Sequence, residues 1–375
     1  MNILAYVHLR GIVTPTGAGR VARSMVEELH RSGDDTIKVL ADAGDHRSVV
    51  GRVGAPWNGY EYRLFERDTS RQQALWIALD RPTAEDYWPS ADLIYCLGEA
   101  YVPTRRARLA VTAHDAACFE RGAHRMSLSA EIQALKRRCL FYKLSRKADC
   151  IITVSHFSAE RLGYFFPALK SRLRVVPNGV PGRFFDPVSP VGEAALAGLG
   201  LAGRQFLLAP GGLQYRKNAN LMLRAWPLLQ QKYPELLLVV TNQYEVDYFR
   251  QAQSLGSSVR LIGFIDDELL RSLYGAAAAV WLPSLYEGFG IPLLEAMACG
   301  APVVASTSSA LPEVAAGAAI LVSPHSLKDN VDALDSLLRS RSLVDRYVAA
   351  GRRRASEFTW AAVASKLRRE LESIP

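Results

Sequence analysis

The sequence predicts an α/β protein of two doubly wound domains, each built on a parallel sheet. Three observations carry that expectation. Short apolar runs rich in β-formers alternate with segments of helical spacing along most of the chain. The alternation halts in a Pro/Gly/Ala-rich stretch from Pro181 to Gly203, and then restarts. At about 150 residues per domain, a chain of 375 residues has room for two such blocks.

In the first block Ile3–Val7 reads as a strand, followed by a glycine-containing loop and a helix that places Val21, Met25 and Leu29 on one face. Ile37–Leu40, Leu93–Cys96, Leu109–Ala113 and Cys150–Val154 are further strands. Arg174–Val176 runs into the turn Pro177-Asn178-Gly179. The stretch to Gly203 reads as an interdomain linker. In the second block Phe206–Ala209, Leu236–Thr241, Val259–Leu261, Ala277–Leu282 and Pro302–Ala305 read as strands, with helices over Leu221–Leu229 and Pro292–Ala298. Strands that alternate with helices pair in parallel and are covered on both faces. The expected domains are therefore Rossmann-like, 1–180 and 181–357, facing an interdomain cleft where ligands gather beyond the strand ends.

Composition narrows the classes. An apolar share of 49% and a charged share of 22% are those of a globular protein and exclude disorder and collagen. No run of about 18 apolar residues predicts a membrane-spanning helix, and the N-terminus reads as a strand rather than a signal peptide. Five cysteines, an odd number without C-x-x-C spacing, point to a reducing compartment and away from a zinc site. Neither H-x-x-x-H nor Asp-x-Asp occurs, so no metal site is expected. Net charge is +8: residues 1–180 carry 26 Lys+Arg and 19 Asp+Glu, residues 181–357 carry 16 and 16, and residues 358–375 carry 3 and 2. The basic excess thus sits in the first half, as a solvated surface or as a local field.

The segment Pro283 to Gly300 concentrates the chemistry. It starts where an apolar strand ends. Gly288 and Gly290 let a ligand approach the backbone, Pro292 suits a helix start, and Gly300 suits its C-terminal cap. That short helix aims its N-terminus, which favours anions, at the loop. Glu287 and Glu295, with seven residues between them, can both border the pocket, and a carboxylate accepts well from vicinal sugar hydroxyls. Alone, Glu295 would more often merely complement the helix dipole.

This pattern resembles the E-x7-E signature of family 4 (group 1) of the retaining GT-B glycosyltransferases. Ala301 to Ser306 and Leu311-Pro312-Glu313-Val314 also resemble that family. The resemblance implies that Glu287 approaches the transferred sugar, that Glu295 binds the nucleotide ribose, and that Phe289, Gly290 and Ile291 meet sugar and phosphate through backbone N–H groups. Arg216-Lys217-Asn218, after Gly211-Gly212, is similar to the family's R-K-N motif, whose cations neutralise the diphosphate leaving group. Many members carry an arginine six residues before the lysine. Gly211 stands there in this chain, so the burden falls on Arg216 and Lys217.

Gly17-Ala18-Gly19-Arg20-Val21-Ala22 fits a weak dinucleotide fingerprint, but no acidic residue follows at the expected distance. It resembles the family's glycine loop over the donor diphosphate, and a helix-opening turn is the other reading. Val111-Thr112-Ala113-His114-Asp115 resembles the T-x-H-D element of mannosyl-type members. That implies His114 abutting the sugar and Asp115 orienting the ring or facing the acceptor. Gly263-Phe264-Ile265-Asp266 resembles the loop whose backbone meets the nucleobase, with Ile265 on the donor. Thr153 to Ser158 and Val176 to Val180 are family-like and read as structural. Phe358-Thr359-Trp360 resembles the start of a last helix, 358–375, that packs back onto the first domain.

The expectation is thus a metal-independent, retaining hexosyltransferase without a cofactor. It takes mannose or a related sugar from a nucleotide diphosphate sugar to a glycan or lipid-linked acceptor, by a front-face route. It works in the cytoplasm, peripheral to an anionic membrane, with no nucleic-acid partner. A GT-B epimerase or phosphorylase and a non-catalytic sugar-nucleotide-binding protein are the alternatives.

Overall fold

Two parallel sheets organise the computed structural model, which describes residues 1–13, 17–31, 33, 35–125 and 127–375. The chain divides into two units. Unit 1 takes in Met1–Phe119, Met126–Asn178 and Trp360–Pro375; unit 2 takes in Glu120–Arg125 and Gly179–Thr359.

The unit 1 sheet contains β1 (Asn2–Tyr6), β2 (Thr36–Asp42), β3 (Tyr62–Phe65), β4 (Leu93–Cys96), β5 (Arg108–Thr112), β6 (Cys150–Thr153) and β7 (Leu173–Val175). Their order is β3-β2-β1-β4-β5-β6-β7, with Ile3 paired to both Ile37 and Leu93. The unit 2 sheet contains β8 (Phe206–Ala209), β9 (Leu237–Thr241), β10 (Val259–Gly263), β11 (Ala279–Leu282), β12 (Val303–Ser306) and β13 (Ile320–Val322), in the order β10-β9-β8-β11-β12-β13. The central strands are buried on both faces, as Leu207, Leu208, Val239, Val240 and Val280 show. That burial is why their sequences read as unbroken apolar runs rather than alternating ones.

Strand order reverses between β1 and β4 in one sheet and between β8 and β11 in the other. Loops leaving the C-terminal ends of such neighbours splay apart and leave room for ligands. In unit 2 these are the loops after Ala209 and after Leu282, which hold the R-K-N and E-x7-E segments. Large aromatics weld the sheet to its helices. Trp226 and Trp281 are buried, and each indole finds an acceptor: Ser258 Oγ at 3.0 Å and Asn330 Oδ1 at 2.9 Å. In unit 1 the helix Trp360–Glu372 packs on the helix Gly17–Arg31, and Arg108 donates to the Ile374 carbonyl at 2.7 Å.

The structure departs from the sequence reading at several points. The stretch Pro181 to Gly203 is not a linker: it lies within unit 2 and holds the helix Pro190–Gly198. Ser189 caps that helix on the Gly192 N–H, and Pro190 opens it. Gly192 lets it press on the helix Asp267–Ala276, because a Cβ there would lie 2.0 Å from Ser272 Oγ. The edge strands β3 and β13 went unread, and the helix read from Pro292 begins one residue earlier, at Ile291.

Candidate functional site in unit 2

The loop from Pro210 to Asn218 is folded tightly enough to fix two cations. Gly212 has φ +80°, and a Cβ there would fall 2.1 Å from the Gln243 carbonyl oxygen. Leu213 N–H donates to that oxygen at 3.1 Å, and Tyr215 N–H donates to Glu245 Oε1 at 2.8 Å. Asn218, in the left-handed region at φ +61°, precedes the helix Ala219–Lys232. Its buried amide donates to the Pro283 carbonyl at 3.0 Å and to the Pro324 carbonyl at 2.7 Å. The Leu285 N–H donates to the Arg216 carbonyl at 2.9 Å. The R-K-N loop is therefore stitched to the loop that carries Glu287.

Glu287 is the centre of this arrangement. Lys217 Nζ lies 2.5 Å from its Oε1 and Arg216 Nη1 lies 3.2 Å from its Oε2. Ser284 Oγ donates to Oε1 at 2.7 Å, and the Glu287 N–H donates to Ser309 Oγ at 2.8 Å. Ser306 in turn anchors the Ser284 carbonyl at 2.7 Å. Glu287 and Lys217 are both buried. Burial opposes ionisation of the Glu287 carboxyl, but Lys217 and Arg216 overcome it and hold the carboxyl at about 2. Burial also lowers the Lys217 ammonium from its ordinary value, against the pull of Glu287.

The helix Ile291–Ala298 follows. Gly290 caps it at φ +105°, where a Cβ would meet Leu311 Cδ2 at 2.7 Å. Such a position excludes side chains and keeps the backbone bare at an anion-favouring helix end. Gly288 and Phe289 are buried before it, and Phe289 packs edge-on against Phe358 with centroids 6.0 Å apart. Ile291 is half-buried at the first helical position. Glu295 lies beyond the first turn, 1% exposed, and receives the Tyr274 hydroxyl at 3.2 Å. A carboxylate so placed does little for the helix dipole. Ile265 sits half-buried in the loop between β10 and the helix Asp267–Ala276, beside Phe264, which is 58% exposed.

Unit 1 holds the remaining expected residues. His114 and Asp115 follow β5. Burial depresses the His114 imidazole and favours its neutral form. Asp115 Oδ1 accepts from the Ala117 N–H at 2.8 Å. Gly17 and Gly19 occupy the first turn of the helix Gly17–Arg31. Near Asp115 the structure places a carboxylate with no sequence motif to announce it. Glu99, just past β4, pairs with Arg137 at 2.8 Å, and burial raises its carboxyl to about 7 against the pull of Arg137, with Asp115 raising it further. Ser284, Ser309 and Tyr274 are further supports that carried no motif. Among the described residues no group of three or more His, Cys, Asp or Glu is gathered as a metal site, and no helix is long and apolar enough to cross a membrane.

Residues 15–182 match the model of Glycosyltransferase Family 4, and residues 198–354 match that of Glycosyl transferases group 1. The phosphatidyl-myo-inositol mannosyltransferase of Mycobacterium tuberculosis is 33% identical over 92% of this chain and 90% of its own length. The O-antigen chain mannosyltransferase B of Escherichia coli is 32% identical over 72% of this chain and 71% of its own. In fold the chain is like Anabaena HepE in complex with UDP-glucose, with a TM-score of 0.75 at 20% identity over all of both chains. With both halves matched and a relative of nearly full length at this identity, the chain belongs to glycosyltransferase family 4, the glycosyl transferases group 1, and has the GT-B fold.

Proposed function

We propose that this glycosyltransferase moves mannose from GDP-mannose to a glycan or lipid-linked glycan with retention of anomeric configuration and without a metal. The observation that carries the reading is the triad of Arg216, Lys217 and Glu287, fixed by backbone hydrogen bonds beside the N-terminus of the helix Ile291–Ala298. The choice of mannose is supported by the mannosyltransferase relatives, and that of GDP by the T-x-H-D-like element ending in His114 and Asp115. Two cations and a helix end suit a diphosphate, so Arg216 and Lys217 take the leaving group and supply the charge that a divalent ion would otherwise bring. Glu295 takes the ribose hydroxyls, and the backbone of Gly288 to Ile291 takes sugar and phosphate. Gly17 and Gly19, at the start of their helix, take the diphosphate side, and Ile265 the base.

Glu287 is an unsuitable nucleophile, because two cations and Ser284 hold both its oxygens. A double displacement through a glycosyl-enzyme therefore has little support. In the front-face alternative the bond from the anomeric carbon to the diphosphate oxygen breaks and the acceptor oxygen bonds on the same face. The acceptor proton passes to the departing phosphate. Neutral His114 hydrogen-bonds a sugar hydroxyl, and Asp115 serves the acceptor. The protein works in the cytoplasm, against the inner face of an anionic membrane.

The test is a melting-temperature screen against GDP-mannose, GDP-fucose and UDP-glucose in EDTA, followed by transfer to a membrane lipid extract. A bound donor raises the melting temperature by mass action. GDP-mannose should give the largest rise, and proton NMR should show an α-linked mannoside with free GDP. A shift with UDP-glucose alone would overturn the donor assignment. A released epimerised sugar without acceptor would favour an epimerase, and donor binding without any turnover would favour a binding protein.

A further inference from the structure

The helix Leu128–Lys147 of unit 1 is apolar on two opposite sides. One side, through Leu140, Phe141 and Leu144, is buried in the unit 1 core. The other carries Leu128, Ile132, Leu135 and Tyr142, which are 75%, 47%, 62% and 58% exposed, with exposed Cys139 among them. Their alternating spacing of four and three residues lines them up in one stripe, about 21 Å long.

From Ser127 to Cys139 every residue is exposed or half-buried, so about three helical turns stand clear of the core. A row of aliphatic side chains gains free energy only by leaving water. That calls for something to cover the stripe.

Charge says what. The helix carries Lys136, Arg137, Arg138, Lys143, Arg146 and Lys147 against a single acid, Glu131. Arg137 turns to Glu99, Lys143 and Lys147 turn to Asp80, and Arg138 stacks over Phe119. Lys136 is exposed beside the stripe, and Arg146 lies over the exposed Tyr142 ring at 4.3 Å. A second copy of this helix would set like charges face to face, which disfavours self-association. An anionic surface with an apolar interior complements both the cations and the stripe.

We propose that this face docks the enzyme on an anionic phospholipid bilayer, with Leu128, Ile132 and Leu135 entering the boundary between headgroups and acyl chains and Lys136 and Arg146 meeting lipid phosphates. The inference deepens the lipid-linked-acceptor reading above and rests on it for its purpose alone.

The full chain is sedimented with phosphatidylcholine vesicles, with and without phosphatidylglycerol. Beside it run a Leu128→Ser/Ile132→Ser/Leu135→Ser variant and a Lys136→Glu/Arg146→Glu variant. All five positions are exposed, so both variants should melt as the parent does. The parent should pellet with phosphatidylglycerol-containing vesicles only, and each variant should lose about tenfold or more in partitioning. A parent that stays in the supernatant, or a triple variant that pellets undiminished, overturns the proposal. So does light scattering that finds a dimeric parent and a monomeric triple variant, which would assign the stripe to a second copy. The donor screen reads separately: vesicle binding without any response to nucleotide sugars keeps the docking face and discards the donor reading, and the reverse result does the opposite.

Discussion

The stem of Lys217 runs across the bare Cα of Gly211, so closely that a methyl group there would lie 2.8 Å from Lys217 Cδ and 2.9 Å from Cε. In this chain the position six residues before the lysine is thus occupied by the lysine itself.

Gly211→Ala should therefore act on turnover rather than on the fold. The added carbon shifts the flexible lysine stem, which can still pair with Glu287 but no longer sits at the proposed place of the leaving group. We expect kcat to fall about tenfold or more, with the melting temperature nearly unchanged. Gly212→Ala should do the reverse. Its φ of +80° and the Gln243 carbonyl 2.1 Å from the new carbon leave only backbone to yield, so stability should drop by about 2 kcal/mol or more. Paired kinetic and denaturant measurements on the two variants check both.

Lys217→Ala should lower kcat by orders of magnitude, because the proposed diphosphate leaving group loses its most buried cation. It should destabilise the donor-free protein as well, since Glu287 then stays buried with Arg216 as its one remaining cationic partner. Lys217→Ala/Glu287→Gln should recover much of that stability and none of the activity. Urea melts and GDP release measured on the same samples separate the two effects.

Acid should report on Glu287. Its folded-state carboxyl, held at about 2 from an ordinary 4.5 against the cost of burial, contributes stability that is present above pH 4.5 and lost as pH falls towards 2. Glu287→Gln should remove that component from the pH dependence of the urea midpoint. An unchanged acid limb would contradict the pairing.

Glu99 should act in the opposite sense. Burial raises its carboxyl from 4.5 to about 7, so the stability it contributes is full below pH 4.5 and is lost as pH rises through 7. Glu99→Gln should flatten stability between those limits, which a series of urea midpoints will show.

Tyr274→Phe should raise the KM for the donor several-fold and leave kcat nearly intact. The hydroxyl orients Glu295, whose proposed partner, the ribose, takes no part in the bond that breaks, and one hydrogen bond is worth about 1 kcal/mol.

Much of this architecture was legible in the chain because the central strands are buried on both faces and read as apolar runs. The edge strands carry a weaker signal. Tyr62–Phe65 is partly exposed and carries Arg63, and Ile320–Val322 has only three residues. The helix Pro190–Gly198 looked like a linker because its packing depends on the fit of Gly192 against Ser272, a contact between distant positions. At the site, Arg216, Lys217 and Glu287 stood out by type and spacing. Their supports did not: Ser284, Ser309 and Tyr274 are ordinary residues until the fold sets their hydroxyls against two glutamates. Glu99 was invisible for the same reason, since a lone glutamate acquires its character from burial beside Arg137 and Asp115.

Before any donor arrives, Glu287 already answers Arg216 and Lys217, leaving one surplus positive charge among three groups. Little field from them reaches beyond the screening length of about 8 Å at physiological salt. On the proposed reading, donor capture is then a short-range event in which the diphosphate joins a carboxylate that keeps its hold on the two cations, and its rate should depend only weakly on ionic strength. The helix Leu128–Lys147, with six cations against one acid, should be far more sensitive. Salt therefore becomes a means of parting the two proposed activities of one chain, stripping the protein from a bilayer while leaving its grip on the nucleotide sugar in place.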